Sequence, residues 1–155
     1  MLYRPYDSRD FVQLYAIEEL CFEPADRFGR GYMQQLVRSS NTATWIAEND
    51  GQMAGFAIAE WRERKKRITA YIQTIEVSPE SRGQGVGREL LARVEDSSRA
   101  ANAALIWLHV DAANTAAIRL YEGHGYSCEG RQENFYPGGR SALIYLKGLD
   151  FRPAS

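Results

Sequence analysis

A strand that runs into a glycine-rich turn and then into a helix constrains the fold of this chain most. Residues 75–88 read IEVSPESRGQGVGR, with an apolar strand that ends at Val77 and an amphipathic helix that begins at Val86. Glycines let the backbone approach a ligand closely, and the free N–H groups and the dipole at a helix N-terminus attract phosphate. The segment therefore predicts an α/β unit that binds a phosphorylated ligand.

Two common phosphate-binding motifs do not fit this turn. A dinucleotide fingerprint needs a third glycine where this chain has Arg88, and it normally follows the first strand of a fold rather than a strand in mid-chain. A P-loop needs Gly-Lys-Ser/Thr, which does not follow here. A tight strand-to-helix connection that binds no ligand is the alternative interpretation.

Apolar periodicity and turn residues predict the elements of the first half. Steps of three and four predict a helix over residues 11–21, which is capped by Asp7 or Ser8 and ends before Pro24, and a second helix near 32–37. Asp50-Gly51 predicts a hairpin between strands at 44–48 and 53–59. The basic run at 62–67 predicts a solvated hairpin tip before a strand at 70–77.

The second half continues the alternation of strands and helices. The apolar run at 105–108 predicts a strand that is covered on both faces, and a helix near 113–121 ends at Gly123 and Gly125. Two final strands flank a turn at 136–139. Together the elements predict one α/β (α+β) domain with a mixed sheet over residues 1–148, followed by a tail at 149–155.

Composition excludes several classes of function. The 155 residues carry a net charge of -1, so a polycation for nucleic acid is not expected. Two cysteines and two histidines are too few for a disulfide scaffold and give no pattern for a metal site, so we expect both cysteines to be reduced and packed. No signal peptide or membrane-spanning run appears, and we expect a cytoplasmic protein.

Four segments carry a resemblance to a known family. They are Arg82-x-x-Gly85-x-Gly87, the run from Asn114 to Tyr126, the run from Asn134 to Ala142, and Glu19-x-Cys21-Phe22-x-Pro24. The chain resembles the GNAT-type N-acetyltransferase superfamily, and most of all the ribosomal-protein-alanine N-acetyltransferases. The resemblance implies a single domain with a mostly antiparallel seven-stranded sheet, splayed at a coenzyme cleft, with about four helices.

The resemblance also implies acetyl-CoA as co-substrate, with no metal. The coenzyme pyrophosphate would be held by the backbone N–H groups of residues 84–88, which are Gln84, Gly85, Val86, Gly87 and Arg88. Arg82 belongs to the same motif, and Val77 would lie beside the pantetheine and the thioester. Asn114 would bond the pantetheine arm, and it can also cap the helix that follows.

Three residues are catalytic candidates. Tyr121 matches the family tyrosine that donates a proton to the coenzyme sulfur, although its place in an apolar stripe also fits a packed ring. His109 stands where the nearest subfamily carries a glutamate, and Glu76 is the competing base, acting through a water. Because side chains alternate along a strand, Glu76 lies on the opposite face from Ile75 and Val77, and it either faces solvent or lies in the cleft. His109 and Glu76 could act together or as alternatives, and the choice stays open.

The amine substrate should be bound by the two loops at 22–31 and 134–140. Phe22, Tyr136 and Arg140 are the candidate contacts, and Arg140-Ser141 replaces an acidic pair of the nearest relatives. The expected reaction is direct acetylation of a primary amine, foremost a protein or peptide α-amine. The alternatives are a lysine or small-molecule amine, and a module that binds acetyl-CoA without catalysis. Neither a membrane nor nucleic acid is expected as partner.

Overall fold

A single seven-stranded sheet organises residues 1–149, which are the residues described by a computed structural model. Its strand order is β1-β2-β3-β4-β5-β7-β6, and only the pair β4–β5 is parallel. Three short 3-10 turns lie at Ser8–Asp10, Pro79–Ser81 and Pro137–Gly139. The elements in chain order are β1 (Leu2–Pro5), α1 (Phe11–Cys21), α2 (Arg30–Arg38), β2 (Thr42–Asn49), β3 (Gln52–Arg64), β4 (Arg67–Val77), α3 (Val86–Ala100), β5 (Leu105–Asp111), α4 (Thr115–Glu122), β6 (Ser127–Gln132) and β7 (Ala142–Gly148).

The predicted turns form for local reasons. Asp7 accepts a hydrogen bond from the backbone N–H of Arg9, while Asp10 accepts from the N–H of Asp7, so a capping box opens the first helical segment. Lys65 and Lys66, at the tip between β3 and β4, have φ angles of 51° and 63°, the left-handed pair that a two-residue hairpin turn requires. The basic run is therefore a hairpin tip, as predicted.

Helices cover the two faces of the sheet unequally. The larger core cluster lies between the sheet and the helices α3 and α4, and it includes the fully buried Leu90, Leu91 and Val94. A smaller cluster under α1 and α2 contains Leu14 and Phe56 and covers β2, β3 and β4. None of the helices described in residues 1–149 is long and apolar enough to cross a membrane.

The expectation that β5 is covered on both faces is wrong. Ile106 and Leu108 are buried on the side of α3, but Leu105, Trp107 and His109 on the other side are only half-buried. The reason is that α1 and α2 pack on β2, β3 and β4, so that no helix within residues 1–149 covers this face of β5. The ring of Trp107 contacts the ring of Tyr71 instead, with centroids 4.6 Å apart.

Two smaller expectations also differ from the structure. Cys21 and Cys128 are both free, but Cys128 is exposed rather than packed, because it lies on the edge strand β6. Leu149, assigned to the tail, is buried, and its N–H donates to the carbonyl oxygen of Ala104 at 3.0 Å. The rest of the assigned tail, 150–155, lies outside the described residues.

The sheet opens where its one parallel pair ends. β4 and β5 are matched only at Ala70 with Ile106 and Tyr71 with Trp107, although both strands run on. A bulge in β4 sets Ile58 opposite Thr74 and Ala59 opposite Ile72, which leaves Gln73 as the extra residue. A bulge bends its strand and changes the face on which the later side chains lie. The two strands therefore part, and Thr74 and Glu76 face α1.

We expect Gly55→Ala to destabilise the protein. Gly55 is opposite Val77, and a Cβ there would lie 2.5 Å from the carbonyl oxygen of Glu76 and 3.2 Å from Cα of Val77. Because both contacts are with backbone, β3 would have to move away from β4, at a cost of about 1–3 kcal/mol. Urea unfolding measures this. Gly31→Ala, in α2 with open space around it, is the control and should be neutral or slightly stabilising. Equal unfolding midpoints for Gly55→Ala and the wild type would contradict the close packing.

Candidate active site

A cavity of about 550 Å³ lies where β4 and β5 part. One wall comes from Tyr71 to Ile75 of β4, and the opposite wall from Leu108 to Asp111 of β5. The loop between α1 and α2 (residues 22–29) and the loop between β6 and β7 (residues 133–141) flank the opening. The remaining lining residues are Glu18, Cys21, Phe22, Glu23, Asp26, Phe28, Ala113, Asn114, Ala117, Tyr121, Phe135, Tyr136 and Arg140.

A tyrosine–histidine pair joins the two strands across this cavity. The hydroxyl of Tyr71 lies 2.7 Å from Nδ1 of His109, and Nε2 of His109 lies 3.2 Å from Oε1 of Gln132. Because Oε1 of Gln132 only accepts hydrogen bonds, Nε2 carries the ring proton and Nδ1 accepts from Tyr71. The ring of Phe135 stacks on His109 at 4.2 Å. The imidazole is therefore fixed as one neutral tautomer with a phenol on its lone pair.

The surroundings of this pair favour the neutral imidazole. Burial lowers the pKa of His109 below its usual value, and the positive charge of Arg62 acts in the same direction. Arg62 lies over the ring of Tyr71, with its guanidinium carbon 4.2 Å from the centroid. Burial is also the main cause that raises the pKa of the Tyr71 phenol. The pair can thus accept a proton at neutral pH.

Tyr121 lies on α4 with its side chain in the same cavity. The residue is buried, its ring packs edge to face against Tyr126, and burial raises the pKa of its phenol well above the usual value. Within residues 1–149 no group makes a hydrogen bond to its hydroxyl. The hydroxyl oxygen is also not fully buried, so it is accessible from the cavity. The hydroxyl therefore stays protonated and faces the open part of the cavity.

The two loops are tied together at the mouth of the cavity. The guanidinium of Arg140 donates both to Asp26 of the α1–α2 loop and to Asp111 at the end of β5. It also lies over the ring of Tyr136, 5.4 Å from the centroid. Phe22 lines the same mouth. The three predicted substrate contacts, Phe22, Tyr136 and Arg140, therefore lie around one opening.

Glu76 lies neither in solvent nor in the cleft, which were the two placements expected for it. Its side chain is buried beneath α1, and burial together with the nearby Glu18 raises the pKa of its carboxyl group. The hydroxyl of Thr74 donates to Oε2 of Glu76 at 2.7 Å. The reason is the packing of α1 on β4, which covers this face of the strand. Glu76 is adjacent to the cavity without being part of its lining.

The glycine-rich turn has the geometry of an anion-binding site. Gly83 and Gly85 both have φ of +79°, a backbone conformation that favours glycine. No side chain within residues 1–149 caps α3. The first N–H of the helix with a backbone acceptor is that of Glu89, which donates to the carbonyl oxygen of Gly85. The N–H groups of the first turn are therefore left for a ligand, and a coenzyme phosphate fits there.

The predicted coenzyme residues divide into two groups. Asn114 lines the cavity and caps α4, because its Oδ1 accepts from the N–H of Ala117 at 3.2 Å. Val77, Arg82 and residues 84–88 do not line the cavity. The Arg82 guanidinium instead donates to the carbonyl oxygen of Val77 at 3.1 Å and contacts Sγ of Cys21 at 3.5 Å. Gly87 packs close to Val77 and Leu120, which brings the turn to the end of the cleft.

Two residues of the site were missed by the sequence analysis, namely Tyr71 and Glu18. A tyrosine two residues before the bulge is unremarkable in a strand, and the parallel register that sets it near His109 depends on distant parts of the chain. Glu18 could have been noticed as a charged residue next to the apolar Ile17 stripe of α1. A buried carboxyl group needs a hydrogen-bond donor, and Oε2 of Glu18 accepts from the backbone N–H of Phe28 at 3.1 Å.

Comparisons with known proteins agree with this geometry. Streptothricin acetyltransferase of Streptomyces lavendulae is 35% identical over 100 residues, covering 64% of this chain and 52% of that protein. The [ribosomal protein bS18]-alanine N-acetyltransferase of Escherichia coli K12 is 38% identical over 98 residues, covering 61% of this chain and 64% of that enzyme. The alignments thus span less than two thirds of either relative.

The fold comparison and the family match extend over more of the chain. The crystal structure of the ribosomal-protein-S18-alanine N-acetyltransferase from Escherichia coli superposes with a TM-score of 0.84 at 26% identity, covering 99% of this chain and 97% of that one. Residues 11–126, well over half of the chain, match the acetyltransferase (GNAT) family. With its splayed seven-stranded sheet and free helix N-terminus, the chain belongs to the acetyltransferase (GNAT) family.

Proposed function

We propose that the protein is an acetyl-CoA-dependent N-acetyltransferase that acetylates the α-amine of a protein or peptide. One observation carries the proposal: the Tyr71–His109 pair lines one cavity at the sheet opening together with the hydroxyl of Tyr121, which has no hydrogen-bond partner within residues 1–149. A proton acceptor and a proton donor are what direct transfer from a thioester to an amine requires. The name of the Escherichia coli enzyme, which the chain resembles in sequence and in fold, specifies ribosomal-protein alanine and supports the choice of an α-amine.

Acetyl-CoA supplies the activated acetyl group. The backbone N–H groups at the start of α3 hold its pyrophosphate, and Asn114, whose Oδ1 caps α4, orients the pantetheine arm with its amide. These contacts come mainly from the main chain. Substitution of Gly85, whose φ is positive, should therefore weaken coenzyme binding more than substitution of Gln84.

The amine loses its proton to the Tyr71–His109 pair. As the amine nitrogen forms its bond to the acetyl carbon, its proton passes to the Tyr71 oxygen and the Tyr71 proton passes to Nδ1 of His109. Tyr121 gives its hydroxyl proton to the departing sulfur. An α-amine has a pKa of about 8, so a part of it is already neutral at pH 7, whereas a lysine at about 10.4 would need stronger assistance.

Glu76 does not fit the role of this base. Its carboxyl group already accepts a hydrogen bond from Thr74, and burial, followed by the nearby Glu18, raises its pKa well above the usual range. Of the two bases that the sequence left open, His109 is therefore the one we propose. A cytoplasmic location of the protein stays a prediction.

A small cationic amine is the second candidate substrate. It is supported by the similarity to streptothricin acetyltransferase and by the carboxylates of Asp26 and Asp111 at the cavity mouth. Two carboxylates share the single guanidinium of Arg140, which leaves a negative charge at the opening. A peptide requires in addition that the two loops part enough to admit its backbone.

A peptide panel distinguishes these substrates. We expect acetylation of peptides with a free α-amine and none of the same peptides with a blocked N-terminus and an internal lysine. Mass spectrometry after incubation with acetyl-CoA locates the acetyl group, and a small diamine serves as the competing substrate. Acetylation restricted to blocked, lysine-containing peptides, or to the diamine, would remove the α-amine proposal.

We expect Tyr71→Phe to lower kcat by about 10²–10⁴-fold, the usual contribution of a general base. Tyr32→Phe is the matched control, because this tyrosine is exposed and its hydroxyl contacts only Gln73. His109→Gln should remove the acid limb of the pH profile of kcat. Since burial lowers the pKa of His109, that limb lies below the ordinary histidine value of about 6.5, and activity is lost as pH falls through it. An unchanged limb in His109→Gln would exclude the pair as base.

We expect Tyr121→Phe to lower kcat with little change in coenzyme affinity. The substitution keeps the packed ring against Tyr126 and removes only the hydroxyl that faces the cavity. Steady-state kinetics and calorimetric titration with acetyl-CoA separate the two quantities. Loss of binding equal to the loss of kcat would instead indicate that the phenol holds the coenzyme.

A further inference from the structure

Two carboxyl groups are buried against each other between α1 and β4. Glu18 is 1% exposed and Glu76 is 3% exposed, and the nearby Glu18 adds to burial in raising the pKa of the Glu76 carboxyl group. Two carboxylate oxygens cannot form a hydrogen bond unless one of them carries a proton. Oε1 of Glu18 and Oε1 of Glu76 are both buried and have no hydrogen-bond partner in the described chain. One proton held between the two carboxyl groups would satisfy both oxygens.

The outer oxygens of the pair are held by different elements. Oε2 of Glu76 accepts from the hydroxyl of Thr74, which fixes it to β4. Oε2 of Glu18 accepts from the backbone N–H of Phe28 at 3.1 Å, and Phe28 belongs to the α1–α2 loop. The carbonyl oxygen of Phe28 accepts from the hydroxyl of Tyr15 at 2.9 Å. A proton shared by the two carboxyl groups would thus join this loop to the strand behind the cavity.

No positive group balances the pair. Within residues 1–149 no lysine, arginine or histidine forms an ion pair with either carboxyl group. The ionisable groups that face it are Cys21 on α1 and, through that thiol, Arg82 after β4. Burial raises the pKa of the Cys21 thiol, and the charge of Glu76 adds to this. If both carboxyl groups were ionised, the second negative charge would therefore lie beside a neutral thiol and another carboxylate.

We propose that Glu18 is a positioning residue which, by sharing one proton with Glu76, fastens the α1–α2 loop to β4 and releases it when that proton is lost. The loop supplies Phe22 and Asp26 to the cavity mouth, so the proton controls the wall that receives the substrate. We call this link between Glu18 and Glu76 the latch. That the loop binds the substrate rests on the proposed function, whereas the latch does not.

The sign of the pH effect follows from the direction of the shift. Burial, followed by the contact with Glu18, raises the pKa of Glu76. The folded protein therefore keeps a proton that the unfolded chain releases. The contribution of the pair to stability is complete below the ordinary glutamate pKa of about 4.3 and is lost as pH rises through the raised value.

Amide variants separate the shared proton from the packing. In Glu18→Gln the amide oxygen can still accept from Phe28 while the amide N–H donates to Glu76. In Glu76→Gln the amide oxygen accepts from Thr74 and the N–H donates to Glu18. Both variants keep the link and remove its proton. Glu18→Ala removes the link itself.

Hydrogen exchange of the full chain tests the latch without any assay of acetylation. Exchange at residues 22–29 is followed by mass spectrometry from about pH 5 to about pH 9, with the hairpin tip at 64–67 as the reference for intrinsic exchange. We expect the wild type to lose protection of this loop as pH rises. Glu18→Gln and Glu76→Gln should keep protection throughout, and Glu18→Ala should lack it at every pH.

Infrared spectroscopy reports the proton directly. At about pH 6 the wild type should show the C=O stretch of a protonated carboxylic acid, which is absent from Glu18→Gln and Glu76→Gln. Absence of this band from the wild type overturns the proposal, as does loop protection that is independent of pH or that falls equally in Glu18→Gln. Because no readout depends on turnover, an inactive protein would contradict the proposed function and leave the latch to be judged separately.

Discussion

Only two residue pairs join β4 and β5, the one parallel pair of strands in the described sheet. The cavity exists because no third pair forms between these strands. The bulge at Gln73 turns β4 away from β5 after Tyr71. The same bulge sets Thr74 and Glu76 toward α1, and it leaves Tyr71 on the wall shared with His109. An uninterrupted ladder would fill the cavity with paired backbone. One extra residue in a strand thus determines both the opening and the side chains that face it.

The sequence predicted most of the elements because their causes are local. The Asp50-Gly51 and Lys65-Lys66 turns, the capping box at Asp7 and the glycine-rich turn depend on residues close together in the chain. Helix and strand periods predicted the remaining elements, and four motifs in order predicted the family. Phe22, Tyr136 and Arg140 lie around one opening because the two loops that carry them flank the cavity, and their contact with the substrate stays a prediction.

The features that sequence could not predict all depend on which elements pack together. β5 has an apolar run, yet one of its faces has no helix, since α1 and α2 end over β4. Glu76 was expected in solvent or in the cleft, and its burial depends on Glu18, 58 positions earlier in the chain. The contact of Tyr71 with His109 needs the parallel register of two strands. Periodicity contains no information about any of these pairings.

The uncovered face of β5 gives the protein an optical reporter. Trp107 lies in contact with the Tyr71 ring at 4.6 Å and with the His109 ring at 5.4 Å, whereas the indole N–H of Trp45 donates to Ser97 on the other side of the sheet. Indole emission depends on the polarity and charge around the ring. A half-buried tryptophan beside the proton-accepting pair should therefore change its fluorescence whenever a ligand enters or the imidazole gains a charge, without any added label.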